Sequence, residues 1–122
     1  MTIDRLFVYG TLMPGQTRWP ALAPWIVGSP IPDSVVGELF DTGYGWPAIV
    51  VRPGEPIAGF TVLLAADSLS AALDALDEIE GTDKGLFQRI PVTTTLGSRA
   101  WIYQWASATA QFTKIGSCGA AP

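Results

Sequence analysis

The chain has 122 residues, 48% of them apolar and only 15% charged, with a net charge of −4, a pI near 4.5 and a mean hydropathy of +0.31. That length fits one domain, residues 1–122, with enough chain for a proper core, while the acidic balance and seven scattered Lys and Arg argue against nucleic acid or an anionic membrane surface as partner. Histidine is absent and Cys118 is the single cysteine, which excludes an internal disulfide, a Ser-His-Asp or Cys-His centre and almost every zinc site, so acid–base work falls to Asp, Glu, Lys or Tyr.

The longest apolar run, Ile57 to Ala66, is interrupted by Gly59 and Thr61 and is too short to cross a bilayer. The opening MTIDRLFVYG lacks the charged, apolar and small-residue order of a signal peptide. A cytoplasmic location is the expectation.

In chain order, Leu6 to Tyr9 is β-branched and aromatic and reads as a first, central strand that stops at Gly10. Gly10 to Gly15 holds two glycines and a proline, which is turn chemistry. Successive N–H groups in such a turn can form a nest for an anion. The loop matches neither GxxxxGK[ST] nor GxGxxG, so a nucleotide phosphate is not indicated, and on its own it reads as a tight turn without ligand.

Gln16 to Pro32 carries repeated prolines and reads as a surface excursion with a short turn of helix at most; Trp19 and Trp25 read as packing residues. Ser34 to Asp41, Pro47 to Arg52 and Ile57 to Leu64 read as strands, the last two joined by a hairpin turn at Pro53 to Pro56. Gly37 and Gly59 suggest bulges or bends that curl a sheet. Phe87 to Leu96 and Arg99 to Ala106 flank a Gly97-Ser98 turn, and period two puts Trp101, Tyr103 and Trp105 on one face with Ile102 on the other. Residues 107–122 show no periodicity and read as a loosely packed tail. The sum is an α+β domain of about six strands and one main capped helix, its sheet curled into a small barrel.

That helix spans Asp67 to Gly81, with Asp67 or Ser68 placed to cap its start and Gly81 to end it. At ~100° per residue, Leu69, Ala72, Leu73, Leu76 and Ile79 share one stripe, with Asp74, Asp77 and Glu78 outside it. Glu80 falls near the middle of the apolar face. Burial and the helix C-terminus both disfavour its charge and raise its pKa, which suits a general base that later acts as acid. The alternative is a buried Glu paired with Arg89 or Lys84 to hold the hairpin. From pattern alone the two readings stand level.

Three stretches carry a family likeness. Phe7 to Leu12 (FVYGTL) resembles a signature of the γ-glutamylcyclotransferase (AIG2-like) family. Val36 to Asp41 with Tyr44 to Ala48 looks like its GELYD…GYPA stretch, and Leu76 to Gly81 followed by Phe87-Gln88-Arg89 is similar to its LDxxEG…YxR segment. Order and spacing hold from about residue 5 to 105. The resemblance implies a small mixed, largely antiparallel β-barrel and an enzyme that cyclises a γ-glutamyl group to 5-oxoproline and releases the attached amine. Carried onto the matching positions, it implies that Tyr9, Gly10, Thr11 and Leu12 hold the glutamyl α-carboxylate, largely through backbone N–H groups. Glu80 would be the catalytic acid–base.

No metal or cofactor is implied. The partner would be a small γ-glutamyl substrate, with the protein a monomer or homodimer. Phe87 stands where the family has a tyrosine that could touch substrate, and Trp46 enlarges the loop at Tyr44 to Pro47. Both departures bear on which substrate is taken. A binding module of the same fold, without turnover, is the alternative; an interaction protein using exposed tryptophans is a third reading, disfavoured by Glu80.

Overall fold

The computed structural model describes residues 2–106, 109 and 112–115. Among these, six strands form one sheet: β1 (Arg5–Val8), β2 (Ile26–Asp41), β3 (Pro47–Leu64), β4 (Phe87–Thr93), β5 (Arg99–Trp105) and β6 (Thr113–Ile115). Their order is β4-β5-β1-β3-β2-β6, so β1 is central as its apolar sequence requires. β1 runs parallel to β5, and every other pairing is antiparallel. The fold is the expected α+β one: a mixed, largely antiparallel sheet curled into an open barrel.

Alternation along β1 builds two cores. Leu6 and Val8 face Leu22, Leu64, Leu73, Leu76, Tyr103 and Trp105, while Phe7 faces the other way onto Val35, Leu39, Ile49, Ile57 and Ile102. Short helix α1 (Trp19–Leu22) and main helix α2 (Leu69–Ile79) lie on the first side. Trp19 and Trp25 pack half-buried against that core, as read from sequence. In α2, Ala72, Leu73 and Leu76 are buried, but Ile79 is 38% exposed, so the apolar stripe is narrower than its periodicity suggested. Gly81, at φ 68°, takes the left-handed conformation that ends the helix. Ser68 occupies the N-cap without a side-chain capping bond.

Three segments differ from expectation. The excursion after the first loop ends at Trp25, and β2 begins at Ile26, eight residues before Ser34, where the sequence first reads as strand; Pro30 and Pro32 lie beside a register shift between Val27 and Ile31, where fewer ladder bonds need an N–H. Pro53 to Pro56 is not a hairpin turn. β3 runs straight through it, and the pairing jumps from Gly37 with Glu55 to Glu38 with Val50, leaving residues 51–54 as a large bulge. Gly37 and Gly54 make this crossing possible, since a Cβ on Gly54 would lie 2.4 Å from the Gly37 carbonyl oxygen.

The tail is also not wholly loose. Thr113–Ile115 pairs with Leu39, Phe40 and Asp41 and covers the outer edge of β2. Phe112 packs edge-on to Trp105 at 5.2 Å, and Lys114 pairs with Glu38 at 2.9 Å. The rest of the expected tail, with Cys118, lies outside the described residues. No helix among the described residues is long and apolar enough to cross a membrane.

Candidate active site

The loop after β1 is a 3-10 turn, Gly10–Leu12. Gly10 has φ 59°, and a Cβ there would meet the Pro47 ring at 2.8 Å, so this position must be glycine for the loop to lie against β3. The Leu12 and Met13 N–H groups donate to the carbonyls of Tyr9 (3.4 Å) and Gly10 (3.2 Å).

Tyr9 anchors the loop. Its hydroxyl donates to the Tyr103 carbonyl at 2.6 Å and accepts from the Ile49 N–H at 3.2 Å, tying β1 to its two neighbours. Burial pushes its pKa well up, so the phenol stays protonated. The ring lines the site while the hydroxyl is committed to backbone.

Glu80 follows the last residue of α2, its N–H donating to the Leu76 carbonyl at 2.9 Å. Its side chain is 7% exposed and accepts a hydrogen bond from the Arg18 guanidinium at 2.5 Å. Arg18 in turn donates its backbone N–H to the Thr11 carbonyl at 2.8 Å, so this arginine bridges the glycine loop and the helix end. Burial raises the Glu80 pKa and the Arg18 charge and hydrogen bond lower it; the net shift is upward. The partner is neither Arg89 nor Lys84, the two weighed from sequence.

Arg89 is instead engaged by Asp77. Its Nε and terminal nitrogen donate to the two Asp77 oxygens at 2.8 and 3.1 Å, and the Tyr103 hydroxyl donates to the same carboxylate at 2.7 Å. The guanidinium also lies 4.4 Å from the Trp101 ring centroid. Burial alone would raise the Asp77 pKa, but Arg89 and Tyr103 together hold it below the usual range. Asp77 is thus a structural carboxylate, not the solvated acid its place on the helix suggested.

Tyr9, Thr11, Leu12, Phe87 and Glu80 line one narrow cavity of about 20 Å³, together with Phe7, Arg18, Trp46, Pro47 and Tyr103. That is room for about one water molecule. Gly10, the remaining sequence-derived site residue, lines an adjoining cavity of about 300 Å³ that shares Tyr9, Trp46 and Pro47 with the first. Phe87 contributes an apolar ring, edge-on to Trp105 at 5.4 Å and 5.5 Å from Trp46. Sequence reasoning missed Arg18, although a buried acid does require a cation and Arg18 is the one basic residue of the proline-rich excursion.

Fold and site together define a class: an open α+β barrel whose first-strand glycine loop faces a buried carboxylate at the end of its main helix. The chain belongs to the family described as gamma-glutamyl cyclotransferase, AIG2-like, which it matches over residues 6–118. In sequence, no curated protein matches it. Its fold is similar to that of an AIG2-like protein from Mus musculus, at 16% identity and a TM-score of 0.70, covering 92% of this chain and 83% of that one. It is also similar to the Escherichia coli protein ytfP (25% identity, TM-score 0.64, 93% and 92% covered). A third likeness is an uncharacterized protein from Pyrococcus horikoshii (23%, 0.63, 88% and 80%).

Proposed function

We propose that this protein cyclises the γ-glutamyl group of a small conjugate to 5-oxoproline and releases the free amine, with Glu80 as general base and then general acid. The observation that carries this reading is a buried carboxylate of raised pKa lining the same narrow cavity as the Thr11-Leu12 loop. Backbone N–H groups of the Tyr9–Leu12 loop are the donors for the substrate α-carboxylate, and Arg18, bonded to the Thr11 carbonyl, stands beside them as the cation. An incoming carboxylate competes with Glu80 for Arg18, and each Arg18 bond it takes frees Glu80 to act.

The substrate α-ammonium first gives a proton to the Glu80 carboxylate. The freed nitrogen lone pair attacks the γ-carbonyl carbon and closes the five-membered ring. Protonated Glu80 gives its proton to the leaving nitrogen and takes the second proton from the ring nitrogen, and the bond from γ-carbon to the leaving nitrogen breaks as the tetrahedral intermediate collapses. The second proton then passes to the released amine, which departs as its ammonium ion and leaves Glu80 ionised. Holding the α-carboxylate folds the amine towards its own γ-carbonyl, so proximity supplies much of the acceleration. Every proton in the cycle passes through one residue, and no water is activated.

The test is Glu80→Gln, checked by circular dichroism for an intact fold and by mass spectrometry for 5-oxoproline from γ-glutamyl conjugates. General acid–base catalysis by one group is worth about 10²–10⁴-fold, and a loss of that size is expected. Unchanged turnover in the variant would sink the mechanism. A second reading, a binding module for γ-glutamyl or similar carboxylates, draws on the small cavity and the closed Arg18–Glu80 pair. Saturable binding without any cyclised product from the wild-type chain would favour it.

A further inference from the structure

The 300 Å³ cavity next to Glu80 differs in character from the narrow one. Its walls are Met13, Leu39, Trp46, Pro47 and Ile57, with Ala58 at the edge, and Asp41 is the single charged residue among its described lining. No described lysine or arginine lines it. Asp41 is exposed and accepts a hydrogen bond from the Gly43 N–H at 2.8 Å, which fixes one of its oxygens at this end of β2. The cavity is large enough for a ring, since even about 150 Å³ of apolar space takes up benzene. It adjoins the Glu80 pocket, sharing Tyr9, Trp46 and Pro47 with it.

We infer that this cavity receives the leaving group, and that the preferred substrates are γ-glutamyl conjugates of apolar, uncharged aryl-alkyl amines. This rests on the proposed reaction, which brings the reacting α-amine of the glutamyl end to Glu80 in the narrow pocket. Of the two cavities that share walls with that pocket, this one is apolar, while the other, lined by Asp77, Gln88 and Arg89, is polar. A leaving amino acid would bring its own carboxylate into a space with no cation and one fixed carboxylate. It would lose the solvation of that charge and gain no partner. An aryl-alkyl amine brings apolar area to five apolar walls. Asp41 therefore acts against amino-acid conjugates, and the walls act for aryl amines; discrimination comes from both.

The experiment uses γ-glutamyl-phenethylamide and γ-glutamyl-alanine, with two readouts: 5-oxoproline release by the wild-type chain, and binding to Glu80→Gln by calorimetry. The expected result is at least a tenfold advantage for the phenethylamide in either readout, the scale that apolar contacts of this size give. Ala58→Phe, which narrows the cavity from an exposed strand position, should erase that advantage by lowering the phenethylamide far more than γ-glutamyl-alanine. Asp41→Asn keeps an acceptor oxygen for Gly43 and should improve γ-glutamyl-alanine alone. Equal or better handling of γ-glutamyl-alanine by the wild type overturns the inference and leaves the cyclisation standing. Selective binding of the phenethylamide with no 5-oxoproline from either conjugate overturns the cyclisation and leaves the cavity assignment standing. Binding of neither conjugate overturns the assignment.

Discussion

Asp77 and Glu80 are two carboxylates three positions apart on the same helix end, and their surroundings drive them in opposite directions. Asp77 is held by three donated hydrogen bonds, two from Arg89 and one from Tyr103, and its pKa is depressed. Glu80 is more deeply buried and has one partner, Arg18, and its pKa is raised. The difference lies in how many donors meet each charge. A carboxylate surrounded by donors ties strands to a helix; one with a single donor in a buried pocket can move a proton.

The largest effect should come from removing the group short of donors. Glu80→Gln is expected to lose about 10²–10⁴-fold in 5-oxoproline release, and it should gain stability at neutral pH. Because the folded pKa of Glu80 lies above its unfolded value of ~4.3, its contribution to stability is fully present below that value. The contribution is lost as pH rises through the folded value. The neutral Gln escapes that loss. Melting curves should therefore show the variant ahead near neutral pH and level with wild type in acid.

Arg18→Gln comes next. A hydrogen bond to a charged group is worth about 1.5–3 kcal/mol, so kcat/KM should fall roughly tenfold to a hundredfold. Arg18 lowers the Glu80 pKa, so without it the acidic limb of the rate profile should move to higher pH. A pH–rate profile checks this; an unmoved limb would mean that Arg18 does not act on the base.

Asp77→Asn should behave as the mirror image of Glu80→Gln. It should cost about 1–3 kcal/mol by leaving Arg89 and Tyr103 underbonded, with turnover per folded molecule little changed. Asp77 has a lowered folded pKa, so its stabilisation is present above the unfolded value of ~3.9 and lost as pH falls through the folded one. Denaturation curves should show the full deficit at neutral pH and its disappearance in acid. The smallest effect belongs to Glu78→Gln. Glu78 is exposed, and the change should stay within about 0.5 kcal/mol and leave activity intact.

How much of this was readable from the chain depends on the distance between the groups concerned. The β4–β5 hairpin, the central strand β1 and the alternation in β5 were legible because pleat and turn chemistry are local. The expected number of strands was reached by different segments: Pro53 to Pro56 carries turn residues, yet the two glycines that let the backbones cross absorb it as a bulge inside β3. β6 was invisible, because three residues form a strand only when an open edge awaits them.

In the site, Glu80 was legible as the wrong residue on an apolar face. Arg18 was not, since its place beside Glu80 depends on the whole course of the chain between them. Asp77 lies outside the apolar stripe as read, but its partners were not legible, because a helical wheel shows which residues leave the core and not which donors β4 and β5 bring to them.

The pairing of β6 with β2 has a consequence for anyone handling this protein. Leu39 and Asp41, which line the larger cavity, are aligned opposite Ile115 and Thr113. The far end of the chain therefore acts as a brace behind the specificity wall. A purification tag or fusion partner joined near residue 115 would tug on the wall that sorts one amine from another. Assays that compare substrates should carry their handle at the other terminus.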